Sequence, residues 1–183
     1  PTHRSRRCRG PLLAGLPPPS GSRAGSYTSF AMALYSTTSA STALTASSTK
    51  TFVLLNPVDH AVKIKKIRVT SDESALKPGA NLEVVRVTSL GSPAGTTGTQ
   101  VKVSPNSDSG SATTTSLTAL TTEPTTYEIV DIIPIPLPGG ILYDYPLGEE
   151  PIAASGGSRI GVRIVNPASG STGNVAVSVT FEE

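Results

Sequence analysis

The sequence has no tryptophan, one cysteine, one methionine and two histidines, and aromatic residues make up only 4% of its 183 positions. Each shortage closes off a class of chemistry. A lone Cys8 cannot form an intramolecular disulfide, so packing must hold the fold. Metal centres need clustered His, Cys or carboxylates, yet only His3 and His60 are present. Asp59-His60 reads as a turn at the start of a strand. Asp72-Glu73 and Glu149-Glu150 lack the alternating carboxylates of a calcium loop. Nucleophilic hydrolysis needs a Ser or Cys oriented by a His base. There is no Gly-x-Ser-x-Gly, and His60 is the only base available after residue 49. A carboxylate pair could cleave a glycosidic bond, but the tryptophans that usually line such clefts are absent. Gly91–Gly98 is glycine-rich without the Gly-Lys-Ser/Thr of a phosphate loop, and reads as a hairpin turn. The expectation is a protein that is not an enzyme and carries no cofactor and no metal. No apolar run approaches the ~20 residues of a membrane-spanning helix, so no membrane association is expected.

What is plentiful is turn-forming and hydroxylated. Seventeen Gly, sixteen Pro and forty-seven Ser or Thr suit many short strands better than helices. The net charge of +2 conceals a division. Residues 1–49 hold five arginines (Arg4, Arg6, Arg7, Arg9 and Arg23) and no acid, which gives +5. Residues 50–183 hold 10 basic and 13 acidic residues, which gives −3. A folded surface that binds nucleic acid normally shows the opposite balance. Nucleic acid is therefore expected as a partner only through an arm built on Arg4, Arg6, Arg7 and Arg9, which could neutralise phosphates.

Three regions follow. Residues 1–35, rich in Arg and Pro and without periodicity, read as a disordered extension. Met32 is the only methionine, and residues 1–31 read either as an extension upstream of a start there or as a tail peculiar to this version of the chain. Residues 36–49 are low-complexity Ser/Thr/Ala and read as an extended lead-in or an arm that orders only against a partner. Residues 50–183 alternate in period two and read as an antiparallel β-sandwich or jelly roll of about eight strands. Asn174–Phe181 is the clearest strand, with Val175, Val177, Val179 and Phe181 facing in. Ile160, Val162 and Ile164 share one face, and Arg159 and Arg163 the other. Across Lys65-Lys66 the apolar phase slips by one, which predicts a bulge. A second slip is expected between Val84 and Val85. Leu117 and Leu120 could seat one helical turn.

Thr126–Ile135 is apolar on both faces, with Tyr127, Ile129 and Ile133 on one and Val130 and Ile132 on the other. One small sandwich has no room to bury both, so these five residues are the expected subunit interface. Pro134, Pro136 and Pro138 place the end of this segment at an edge or crossing. Tyr143 and Tyr145 fall on one face of the next strand, the spacing of a stacking platform for single-stranded nucleic acid. With Asp144, Glu149 and Glu150 alongside, core or subunit packing is the better reading.

Pro138–Ile152 (PGGILYDYPLGEEPI), Thr122-Glu123-Pro124-Thr125, the ending Val179-Thr180-Phe181-Glu182-Glu183 and the opening Lys50–Pro57 (KTFVLLNP) together resemble a group of small β-rich virion proteins of tailed bacteriophages and prophages of high-GC bacteria. The resemblance covers residues 50–183 and implies a structural protein that decorates a capsid surface. It would be made in the host cytoplasm, act as a homo-oligomer with a trimer favoured, and bind the major capsid or another virion protein lattice. Two other roles stay open. One is a jelly-roll shell protein with an internal genome-binding arginine arm. The other is a fibre, tail or cell-surface adhesion module.

Overall fold

The computed structural model describes residues 33–72, 80–89, 94–103, 113–135, 140–169 and 172–183. Among them are thirteen strands and no helix. In chain order these are β1 (Leu34–Thr38), β2 (Thr42–Leu44), β3 (Thr49–Asn56), β4 (Val62–Ser71), β5 (Asn81–Ser89), β6 (Thr96–Thr97), β7 (Gln100–Lys102), β8 (Thr115–Thr118), β9 (Thr126–Pro134), β10 (Gly140–Asp144), β11 (Ile152–Ala153), β12 (Arg159–Val165) and β13 (Gly173–Glu182).

They form two antiparallel sheets. Sheet A runs β10-β4-β13-β1-β7, with β11 continuing the β10 edge along β4 and β2 continuing the β1 side of β13. Sheet B runs β6-β8-β3-β12-β5-β9. Pairing partners lie almost symmetrically about the middle of this stretch of chain: Leu34 with Glu182, Val53 with Val162, Ile67 with Tyr143, and Val84 with Asp131. The chain is thus one long antiparallel hairpin whose strand pairs fall alternately in the two sheets. That is the jelly-roll arrangement, which gives strands distant in sequence a common core.

The core between the sheets is aliphatic. Val175, Val177, Val179 and Phe181 of β13 are all fully buried, as are Ile64 and Ile67 of β4, Leu82 and Val84 of β5, and Val162 and Ile164 of β12. Each such side chain contributes about 1.5–3 kcal/mol by leaving water. The expected bulge in β4 is present. Thr180 pairs with Lys66 and Phe181 with Ile64, which leaves Lys65 as the extra residue. The bulge sets Ile64 and Ile67 inward and swings Lys65 out, where its Nζ meets Glu150 Oε1 at 2.7 Å and Glu182 Oε2 at 2.8 Å. The Lys65 contact, with backbone amides of the same turn, lowers the Glu150 carboxyl from 4.5 to about 2. At the start of β10, Gly140 has φ +119, and a Cβ there would collide with the Val69 carbonyl. Glycine alone permits this close entry into the edge of sheet A.

Four expectations are corrected. Residues 36–49 are not a separate arm, and the strand region begins at Leu34 rather than at residue 50. β1 lies inside sheet A between β13 and β7, and Tyr35 and Leu44 are buried. The low-complexity stretch hid this because its inward side chains are hydroxyls. Thr37 Oγ1 is 3.3 Å from Ser116 Oγ, and Ser39 Oγ accepts from the Val177 amide at 2.9 Å. Inside the sandwich such groups are admissible once bonded. Second, the irregularity expected at Val84–Val85 falls on the partner strand: the register with β9 shifts there, with Val130 as the extra residue, while the register of β5 with β12 runs unbroken from Asn81 to Val87. Both faces of β5 are covered. Third, Leu117 and Leu120 form no helical turn: Leu117 lies in β8, and Leu120 follows it onto the outer face of sheet B. Fourth, Ile133 of the expected interface belongs to the core, at 5% exposure.

Candidate functional site

Sheet B is unusual in having a second apolar layer on its outer face. On β12, Ile160, Val162 and Ile164 go to the main core, which sends Arg159, Gly161 and Arg163 outward. Leu54 of β3 and Val85 and Val87 of β5 also face out, and Leu120 and Leu117 close over them. Gly161 makes room for this layer. A Cβ there would lie 3.2 Å from a Val85 methyl and 3.4 Å from a Leu54 methyl. The segment between β8 and β9 acts as a strap across the face. The Ala119 amide donates to the Phe52 carbonyl and the Leu120 amide to the Thr51 carbonyl. The Thr51 amide in turn donates to the Glu123 carboxylate at 2.9 Å, and Thr51 Oγ1 donates to the same group at 2.5 Å.

Under the strap lies a buried ion pair. Arg163 and Glu83 are register partners on β12 and β5. Arg163 Nε and Nη2 reach Glu83 Oε2 at 2.7 and 2.6 Å, and each residue is only 7% exposed. The Tyr127 ring from β9 covers the guanidinium at 3.7 Å, a cation–π contact that substitutes for water on one side of the charge. A hollow of about 220 Å³ remains between this cluster and Thr49, Thr51, Glu123 and Pro124. Arg163 on its wall is already paired with Glu83, and the Glu123 carboxylate accepts hydrogen bonds from the Thr51 amide and hydroxyl.

Beyond Tyr127 the covering stops. β9 is the last strand of sheet B, so one side of its backbone has no neighbouring strand among the described residues. Tyr127 is 39% exposed, Ile129 48%, Val130 39% and Ile132 50%. Tyr127, Ile129 and Ile132 pair with Val87, Val85 and Glu83 and therefore extend the outer face. Val130 is a bulge residue, skipped where Val84 pairs with Asp131 and Val85 with Ile129. Four of the five expected interface residues thus form one exposed row. Pro134 ends β9 at this edge, as proline's missing donor requires.

Tyr143 and Tyr145 sit around the corner and are not presented as a platform. Their rings meet edge to face at 4.9 Å and pack against the core. Tyr145 OH donates to Asp131 Oδ2 at 3.0 Å, and burial together with that carboxylate pushes its phenol well above the usual range. His60 is exposed, and the nearest acid is Glu183 at 3.8 Å. Among the described residues no three His, Cys, Asp or Glu side chains are grouped to hold a metal ion, and no helix is long and apolar enough to cross a membrane. Arg4, Arg6, Arg7 and Arg9 lie outside the described residues. Sequence reasoning missed the outer layer of sheet B. The available signal was Leu82–Val87, where Val84 and Val85 are consecutive apolar residues and Glu83 is the register partner of Arg163 on β12.

No family model, no curated protein and no solved structure matches this chain.

Proposed function

We propose that this chain is a non-enzymatic structural protein that works by protein–protein association, as an oligomeric decoration protein on the outside of a capsid. The observation that carries the reading is β9, an edge strand of nine residues with four exposed apolar side chains and a backbone side without a partner strand among the described residues. Proteins that stay monomeric blunt such edges with charge, proline or a covering loop. Here Pro134 blunts the end and the Val130 bulge and Glu128 interrupt the row, yet four apolar side chains still face solvent. A standard interface buries about 800 Å² per partner, a scale that one long strand and its flanking face can supply. The net negative charge of residues 50–183 favours a protein partner over nucleic acid. The virion as location, the capsid as lattice and the trimer as assembly rest on the sequence resemblance, to which the jelly roll is congenial.

Sedimentation of the purified chain, followed by incubation with particles stripped of their surface proteins, tests both halves. An oligomer of fixed size that rebinds the particle supports the reading, and three copies support the trimer. A strict monomer with no affinity for the particle defeats it. Intact mass of the particle-bound chain decides the arginine-arm alternative, because a chain starting near Ala33 lacks the arm.

A further inference from the structure

At the other end of sheet B's outer face, away from β9, a groove of about 300 Å³ opens beside β3. Leu54 and Leu117 give it an apolar side, and Asn56, Thr97, Thr115 and Arg159 a polar one. Arg159 and Asn56 are neighbours across β12 and β3, one position beyond the paired Ile160 and Leu55. Arg159 Nε donates to Asn56 Oδ1 at 2.7 Å, and Asn56 Nδ2 donates to Thr115 Oγ1 at 3.1 Å. This relay fixes the plane of the guanidinium and spends one of its donors.

The terminal nitrogens of Arg159 have no carboxylate within ion-pair distance among the described residues, whereas Lys66, Arg86 and Arg163 each have one and Lys65 has two. The contrast with Arg163 is direct, because it lies on the same strand and face but is neutralised by Glu83. Partial burial of Arg159 lowers its pKa with no acid to oppose the shift. A partly desolvated, pre-oriented and unneutralised guanidinium is the arrangement that a planar oxyanion fills.

We propose that this groove binds one acidic monosaccharide unit, a hexuronate, with the Arg159 guanidinium on its carboxylate, Thr97 and Thr115 exchanging hydrogen bonds with ring hydroxyls, and Leu54 and Leu117 against the C–H face of the ring. The volume lies at the low end for ligand pockets, which suits a single ring. Two hydroxyls beside an apolar wall fit a polyol with one flat apolar face better than a bare anion. The negative balance of residues 50–183 works against densely charged phosphate polymers. The inference is independent of the association through β9, which lies at the opposite end of the sheet.

The test titrates the full chain with D-glucuronate, D-glucose, acetate and inorganic phosphate, followed by calorimetry and amide NMR shifts. Glucuronate is expected to bind with a Kd on the order of 1 mM. Glucose, acetate and phosphate should bind at least about tenfold more weakly. A hexuronate trisaccharide run alongside separates a polymer ligand, which it should match or exceed in affinity, from a free sugar, which it should not. Arg159→Gln should weaken glucuronate binding by about tenfold or more. Thr97→Trp, at an exposed position on the short edge strand β6, should block the groove without touching the guanidinium. If Arg159→Gln fails to fold, Thr97→Trp and the glucuronate-to-glucose ratio decide. Equal binding of glucose or phosphate, wild-type affinity in Thr97→Trp, or no glucuronate binding up to about 50 mM would each overturn the proposal.

Discussion

β13 and β9 are two long strands rich in apolar residues, and they end up in opposite circumstances. β13 sits between β4 and β1, and its four inward side chains are completely buried. Among the described residues β9 has one neighbouring strand, β5, and it leaves Tyr127, Ile129, Val130 and Ile132 between 39% and 50% exposed. The difference lies in the alternation. In β13 every second residue is small or polar, so one face suffices to bury the apolar set. In β9 the bulge at Val130 breaks the alternation, and the apolar set spreads over an outer face and an edge. On the function proposed above, that uncovered set is the surface a partner would bury.

The most drastic way to break the comparison is to remove the neighbour that makes β13 an interior strand. Deleting residues 33–49 takes away β1 and β2 and with them the buried Tyr35 and Leu44. Loss of two large core side chains costs about 3–5 kcal/mol each, against a total stability of about 5–15 kcal/mol. The truncated chain is expected to lose its cooperative thermal transition. A truncated chain that still melts cooperatively near the parent temperature would show β1 to be an accessory strand.

A single residue tests the same strand from within. Val177→Asp places a carboxylate at a position with no exposure, and should cost on the order of 4 kcal/mol unless the acid finds a partner. Chemical denaturation of the variant reads this directly. An unchanged midpoint would contradict the placement of Val177.

These two strands also show why part of the molecule was legible in the sequence and part was not. Period two in Val175–Phe181 and in Ile160–Ile164 transfers straight into burial, and the slip at Lys65 transfers into a bulge. Residues 36–49 were illegible because the sandwich accepts Thr37 and Ser39 once Ser116 and the Val177 amide bond them. Local polarity cannot report a partner some 80 or 140 positions away. Val84–Val85 was misleading for a related reason. Its second covered face depends on Leu120 and the strap, which no local pattern announces. The exposed row on β9 was visible as excess apolarity, but Ile133 could be assigned inward only once the register with Leu82 was known.

Ile129→Lys sharpens the comparison from the β9 side. Ile129 is 48% exposed on an edge, so the substitution should alter monomer stability by no more than about 0.5 kcal/mol. A lysine on an edge strand is the usual obstacle to further pairing, and sedimentation should show the oligomer shifted toward monomer. Intact assembly together with an unchanged melting temperature would remove β9 from the interface.

The smallest effect is expected at the edge of sheet A that the chain does cover. There β11 and the residues before it lie along β4, with the Ile64 amide donating to the Pro151 carbonyl at 3.0 Å. Lys65 holds this segment through Glu150. The Glu150 carboxyl is depressed from 4.5 to about 2 in the folded chain. A group whose folded pKa is lowered contributes its full stability above the unfolded value, and that contribution disappears as pH falls through the folded value. The contact should therefore be intact above about pH 4.5, weaken below it and be gone near pH 2. The hydrogen-exchange protection of the Ile64 amide, corrected for the intrinsic rate, should fall across that window while protection in β13 changes less. Lys65→Met should remove most of the difference between the two ends of the window. If protection at Ile64 stays flat from pH 5 to about 2, the Lys65–Glu150 contact does not hold this edge, and the covered and uncovered edges of the sandwich differ by backbone pairing alone.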